Sequence, residues 1–176
     1  MKRLVLGAIL LLFVGVHFAA ANDDGNNSCR IEDDHGKKIL VGKVSAADIW
    51  ENIPEWKGEY VISEPDSAVV SALKNITGDY RIVCVMGIWC SDSRAGVPPF
   101  IKALDMAGNP HLKLEMYAVS RQIKDDVNAR RFGVERVPTF IIYSGEKELG
   151  RMVEIPQTTF EADLVELIEQ HKLPQN

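Results

Sequence analysis

The chain predicts an α/β sandwich around a mixed central sheet, and three observations carry that reading. The run from Arg81 to Met86 is almost unbroken in apolar residues, as a strand covered on both faces requires, and it leads into Trp89-Cys90 and a helix. Beyond it, strand-like and helix-like segments alternate. Near the end, Val137-Pro138-Thr139 opens an apolar strand that turns at Ser144-Gly145-Glu146 into a partner of its own. From Tyr80 the order is β-α-β-α-β-β-α: parallel strands joined by helices, then an antiparallel hairpin.

The elements follow in chain order. Lys2-Arg3, an apolar run from Leu4 to about Val16, and the small residues Ala19-Ala20-Ala21 have the three parts of a secretory signal over residues 1–21. An uncleaved anchor is the competing reading, because Leu4 to Ala21 has 18 residues, the lower limit for a spanning helix. The turn-rich Asn22-Asp23-Asp24-Gly25 behind it favours cleavage. Residues 22–36, rich in Asn, Asp and Gly, read as a leader. Ile39 to Val44 suits a short strand. Ser45 caps a helix through about Asn52, with Ile49, Trp50 and Ile53 toward the core and Pro54 as its stop. Beyond Trp56 to Ile62, Pro65 and Asp66 start a second helix whose Val69, Val70 and Leu73 recur at helical spacing. Residues 22–79 thus form a leader and a helical extension.

After the strand at Arg81–Met86, Ser91 to Ala107 reads as a helix interrupted near Gly96 and Pro98. Leu112 to Val119 alternates, with Leu112, Leu114, Met116 and Ala118 inward. Ile123 to Phe132 is a short helix that Gly133 closes. Thr139–Tyr143 and Glu148–Val153 make the hairpin. Thr158 or Thr159 caps a last helix with Phe160, Leu164, Leu167 and Ile168 on one face.

Trp89-Cys90-Ser91-Asp92-Ser93 on a strand-to-helix turn, with Pro98 downstream, resembles the active-site segment of the thioredoxin family, whose pattern is Trp-Cys-x-x-Cys. Gly133-Val134, Val137-Pro138-Thr139 and the following Phe140-Ile141-Ile142-Tyr143 resemble the segment that carries that family's cis-proline. Trp-Cys-Ser-Asp-Ser is also similar to a motif in exported bacterial thioredoxin-like proteins. The resemblance covers about residues 80–172. It implies a thioredoxin-like three-layer α/β/α sandwich with a mixed central sheet, preceded here by the N-terminal helical extension. It also implies a cis bond before Pro138 that presents the Val137 backbone to an extended substrate, with Trp89 either flanking that groove or filling the core. Two departures stand out: Ser93 replaces the second cysteine, and Cys84 stands where many thioredoxins carry a buried acid.

The chemistry turns on Cys90. At a helix start, unpaired amides and the helix dipole stabilise a thiolate. The Ser93 hydroxyl, one turn on, is placed to donate to it, and the Asp92 carboxylate opposes it. Cys84, in an apolar run, reads as packing. Cys29, in the leader, is a candidate resolving or regulatory thiol. With three cysteines, at least one thiol is left over in an oxidising compartment. Asp92, Cys84 and Cys29 are thus modulators of a site made by Cys90, Ser93, Trp89, Val137 and Pro138.

Removal of residues 1–21 leaves 18 basic against 25 acidic residues and a net charge of −7, which argues against nucleic acid and anionic membranes as partners. His35, His111 and His171 have no ligand spacing, so no metal is expected. No glycine-rich phosphate loop is present, and no cofactor is expected. The partners expected are protein or small-molecule thiols and disulfides, together with a redox partner whose identity is open. The expected function is extracytoplasmic monothiol thiol–disulfide exchange, periplasmic or secreted, by a thioredoxin-like oxidoreductase or isomerase. The alternative is a non-catalytic thioredoxin-like binding module that uses the cis-proline groove. Peroxide reduction ranks last, because the Thr-x-x-Cys pattern of peroxidases of this fold is missing.

Overall fold

The computed structural model describes residues 29–34 and 36–172. The expected signal segment, the start of the leader and His35 lie outside the described residues. A six-stranded sheet in the order β1-β2-β4-β3-β5-β6 forms the middle layer. β3 (Tyr80–Met86) and β4 (Leu112–Ala118) run parallel at its centre, and every other pairing is antiparallel. The mixed sheet and α/β class expected from the sequence are those observed.

Strand alternation divides the apolar side chains of β3 between two layers. Ile82, Cys84 and Met86 point into the main core, which also takes Leu112, Met116 and Ala118 of β4 and Phe140 and Ile142 of β5 (Thr139–Ser144). This face is covered by α1 (Ala46–Asn52), α2 (Pro54–Ile62), α3 (Ser67–Asn75), α4 (Ser91–Ala107) and α6 (Phe160–Lys172), each of which buries at least one side chain there. Val83 and Val85 face a smaller cluster with Tyr117, Val119, Val137 and Ile141, to which α5 (Val127–Phe132) contributes Ala129.

Four expectations are corrected. Arg30–Asp34, placed in the leader, is strand β1, paired with β2 (Lys37–Val44). Its sequence Arg-Ile-Glu-Asp-Asp has one apolar residue; an edge strand is held by backbone bonds, and its charges suit an exposed edge. The N-terminal region therefore supplies two strands as well as helices. Pro54 ends α1 and also opens α2, since its missing amide costs nothing in a first turn, and α2 buries Trp56. Helix α4 runs unbroken through Pro98 and Pro99, with Val97, Pro98, Phe100 and Ile101 buried beneath it; this packing outweighs two lost amide donors. The span 123–132 is split: a 3-10 turn at Ile123–Asp125 precedes α5, because Asp126 accepts from the amides of Asn128 and Ala129 and starts the helix there.

β2 engages β4 only through Gly42–Val44, while Lys37–Val41 pairs with β1. By register, this hairpin runs past the C-terminal end of β4, the end at which β3 delivers Cys90. Ile31 and Ile39 there share a small cavity of about 80 Å³ with Ile53 and Ile88.

Candidate functional site

Gly87, Ile88 and Trp89 turn the chain from β3 into α4, and Cys90 is the N-cap residue, its amide donating to Gly87 O at 2.9 Å. No side chain caps the helix. Cys90 is half-buried, and its Sγ donates to the carbonyl oxygen of Val137 at 3.3 Å. The Val137–Pro138 peptide is cis, both residues are buried, and the Pro138 oxygen accepts from the Glu154 amide at 2.8 Å. Cys90, Val137 and Pro138, 47 and 48 residues apart in sequence, therefore meet.

Ser93 is fully buried and its Oγ accepts from the Gly87 amide at 3.3 Å. No Ser93–Cys90 hydrogen bond is present among the described residues, so the hydroxyl holds the turn instead of the sulfur. Trp89 takes the core-filling role. Its Nε1 donates to Val119 O at 3.0 Å and its ring packs against the smaller cluster. It also lines a cleft of about 360 Å³ with Cys90, Ile53, Trp56 and Ile88, and that cleft does not include Val137 or Pro138. The indole lies so close over Gly87 that a Cβ there would stand 2.6 Å from Trp89 Cε2.

A family model described as thioredoxin matches residues 43–168, well over half of the chain. The chain belongs to the thioredoxin family. Membership carries with it a general thiol–disulfide redox role. Among solved structures, an HIV epitope-scaffold protein is 20% identical with a TM-score of 0.56, the match covering 71% of this chain and 91% of that one. A protein of unknown function from Pseudomonas aeruginosa is 20% identical with a TM-score of 0.51, over 73% of this chain and 87% of that one. Both are similar in fold. No curated protein matches the chain.

The remaining candidates divide by environment. Asp92 is exposed in the first turn of α4, where its Oδ1 accepts from Ser91 Oγ at 3.4 Å. Cys84 is fully buried, and burial pushes its thiol pKa far up, so it packs in this thioredoxin-family chain instead of reacting. Cys29 packs against the main core, where burial, and then the Asp48 carboxylate, push its thiol pKa up. It is not disulfide-bonded and does not line the Cys90 cleft. Among the described residues no group of three or more His, Cys, Asp or Glu side chains is arranged to hold a metal ion.

Several residues at the site escape a reading of the sequence. Arg94 lies one turn beyond Cys90 and is forked onto Glu59 of α2 at 2.8 and 3.1 Å. Arg121 stacks over the Trp89 ring with its Cζ 5.0 Å from the centroid. Glu154 holds a left-handed backbone, φ 59°, beside Pro138, and pairs with Arg136 at 2.6 Å. A non-glycine residue at positive φ leaves no mark in sequence. Ile53 belongs to a helical pattern that records burial and Trp56 to a segment with no assigned element, and neither records nearness to Cys90.

Proposed function

We propose that this thioredoxin-family protein works outside the cytoplasm as a monothiol thiol–disulfide exchange protein, with Cys90 as nucleophile. The observation that carries this reading is the half-buried Cys90 sulfur at an uncapped helix start, 3.3 Å from Val137 O and beside cis-Pro138. In the first step the thiol gives its proton to solvent and the thiolate attacks one sulfur of a substrate disulfide. A Cys90–substrate S–S bond forms, the substrate S–S bond breaks, and the departing sulfur takes up a proton. With Ser93 where the family has its second cysteine, no neighbouring thiol resolves the adduct. Cys29 is a poor resolver because burial and Asp48 both disfavour its thiolate. Release therefore falls to a second substrate cysteine, which isomerises the substrate with no net redox change. A small external thiol is the other route; it frees Cys90 and leaves as a mixed disulfide with the substrate.

The non-catalytic binding module is favoured by one contact. The Cys90 S–H is spent on Val137 O, on the same strip of backbone that would receive an extended segment.

Treating the purified protein with a peptide disulfide should give one peptide per chain, attached at Cys90 and absent in Cys90→Ala, as read by intact mass. No adduct on Cys90 would remove exchange and leave the binding module. Export is tested separately: the protein recovered from its host's exported fraction should begin at Asn22.

A further inference from the structure

A second groove of about 360 Å³ lies on the other flank of α4, between that helix and the segment that joins β6 (Lys147–Val153) to α6. Asp92, Ala95, Gly96 and Pro99 recur at helical spacing along one wall. Ile155, Pro156 and Phe160 form the other. Gly96 is needed for this closeness, since a Cβ there would stand 2.4 Å from Phe160 Cε2. Two of its lining residues adjoin the Cys90 site: Asp92 is two residues beyond Cys90, and the Glu154 amide is bonded to Pro138 O.

Its ionisable lining residues are all acidic: Asp92, Glu154 and Glu161. Glu154 is already paired with Arg136. Glu161 is different. It is 6% exposed, lines the groove, and makes no hydrogen bond or ion pair among the described residues. Asn128 Nδ2 is the buried side-chain polar atom left without a partner among the described residues, so the Glu161 oxygens, unlike most of its side chain, keep contact with solvent and are open to a cation. Its place in the first turn of α6 gives it the helix dipole but no bonded donor. Beside it, Ile155 is 78% exposed, an apolar surface with nothing packed on it.

We propose that this groove is a subsite for a lysine or arginine side chain of an extended peptide substrate, with Glu161 as the anchoring carboxylate. The aliphatic stem of such a residue lies on Pro99, Ile155 and Phe160 while its cation reaches Glu161, and Asp92 adds to the attraction at the rim. The volume falls within the usual range for a side-chain or small-ligand site. Its place beside Cys90 and Pro138 makes the basic residue a near neighbour of the substrate cysteine, a step that rests on the exchange reading above. The protein would then prefer disulfides flanked by basic residues.

The test uses a cysteine-free hexapeptide with a central lysine, titrated into the 15N-labelled full chain, and the same peptide with norleucine in that place. The lysine peptide should shift the amides of Gly96, Thr159 and Glu161 and bind at least tenfold more tightly than the norleucine peptide. Glu161→Gln, which keeps the side-chain shape, should abolish the preference. Ile155→Ser, at an exposed position, should weaken both peptides alike. Equal affinity for the two peptides, or a lysine preference untouched by Glu161→Gln, overturns the proposal. These peptides carry no thiol, so the result stands apart from trapping. A lysine preference supports the groove even where Cys90 forms no adduct. Adducts formed without that preference overturn the groove alone.

Discussion

The three cysteines share one chemistry and differ only in surroundings. Cys90 reaches solvent, Cys84 is sealed between the sheet and its helices, and Cys29 sits partly under apolar neighbours with Asp48 close by. Brief iodoacetamide treatment of the native protein near neutral pH should therefore label Cys90 first, as read by peptide mass mapping. Cys84 should be labelled only after unfolding. Labelling of native Cys84 would contradict its burial. Gly87 is the second residue whose surroundings decide its role. In Gly87→Ala the new methyl drives the indole off its seat and breaks the bond to Val119 O. We expect a loss of about 1–3 kcal/mol in urea unfolding, with a changed tryptophan emission spectrum. Cys90 and Pro138 were legible in sequence because a strand-to-helix Trp-Cys and a strand-opening Val-Pro are distinctive local patterns. Ser93 was legible as a missing thiol, but its bond to Gly87 was not, since a hydroxyl's partner depends on where the turn places it.

Helix ends explain both what the sequence discloses about the elements and what it conceals. Ser45 and Asp48 form a reciprocal capping box on α1: Ser45 Oγ accepts from the Asp48 amide at 3.1 Å, and Asp48 Oδ2 accepts from the Ser45 amide at 2.7 Å. Hydrogen bonds from the Ser45 side chain and then its backbone hold the Asp48 carboxyl below its ordinary pKa. A lowered pKa means that the folded state favours the ionised form. The stabilisation is thus present above the unfolded aspartate value of about 3.9 and fades as pH falls through the lower folded value. Asp48→Asn should be less stable than the parent at neutral pH, and the gap in thermal midpoint should close in acid. α2 escaped the sequence reading because Gly58 and Pro54 mask it, yet Trp56 is only 1% exposed and roots it in the core. Trp56→Ala should cost about 3–5 kcal/mol in chemical unfolding. Prolines 98 and 99 mislead in the other direction. Local chemistry says break, and the buried face of α4 keeps the helix whole.

At the scale of the molecule, the central strands are easy to read because β3 is apolar on both sides, whereas β1 is nearly invisible because an edge needs no core. The cover of the two faces is unequal: five helices lie on one, and the six-residue α5 with its preceding turn lies on the other. Cys84 belongs to the thick side, and its titration acts on the whole fold. Its folded pKa is raised, so the native protein keeps a proton that the unfolded chain releases above about pH 8.5. Stability should therefore fall with rising pH there, by up to about 1.4 kcal/mol per unit. Cys84→Val should flatten that decline in urea titrations at pH 8 to 10. An identical slope in parent and variant would exclude Cys84 as its source.

Trp89 and Val137, which flank the Cys90 sulfur, both rest on the thin side, against Val119, Ala129 and Val134. Stability is seldom uniform across a fold, and the part with least buried apolar surface opens first. Heat should consequently silence the sulfur before it melts the protein. Deuterium should enter the amides around residues 127–134 while those of β3 are still protected, and adduct formation at Cys90 should fade at that same lower temperature.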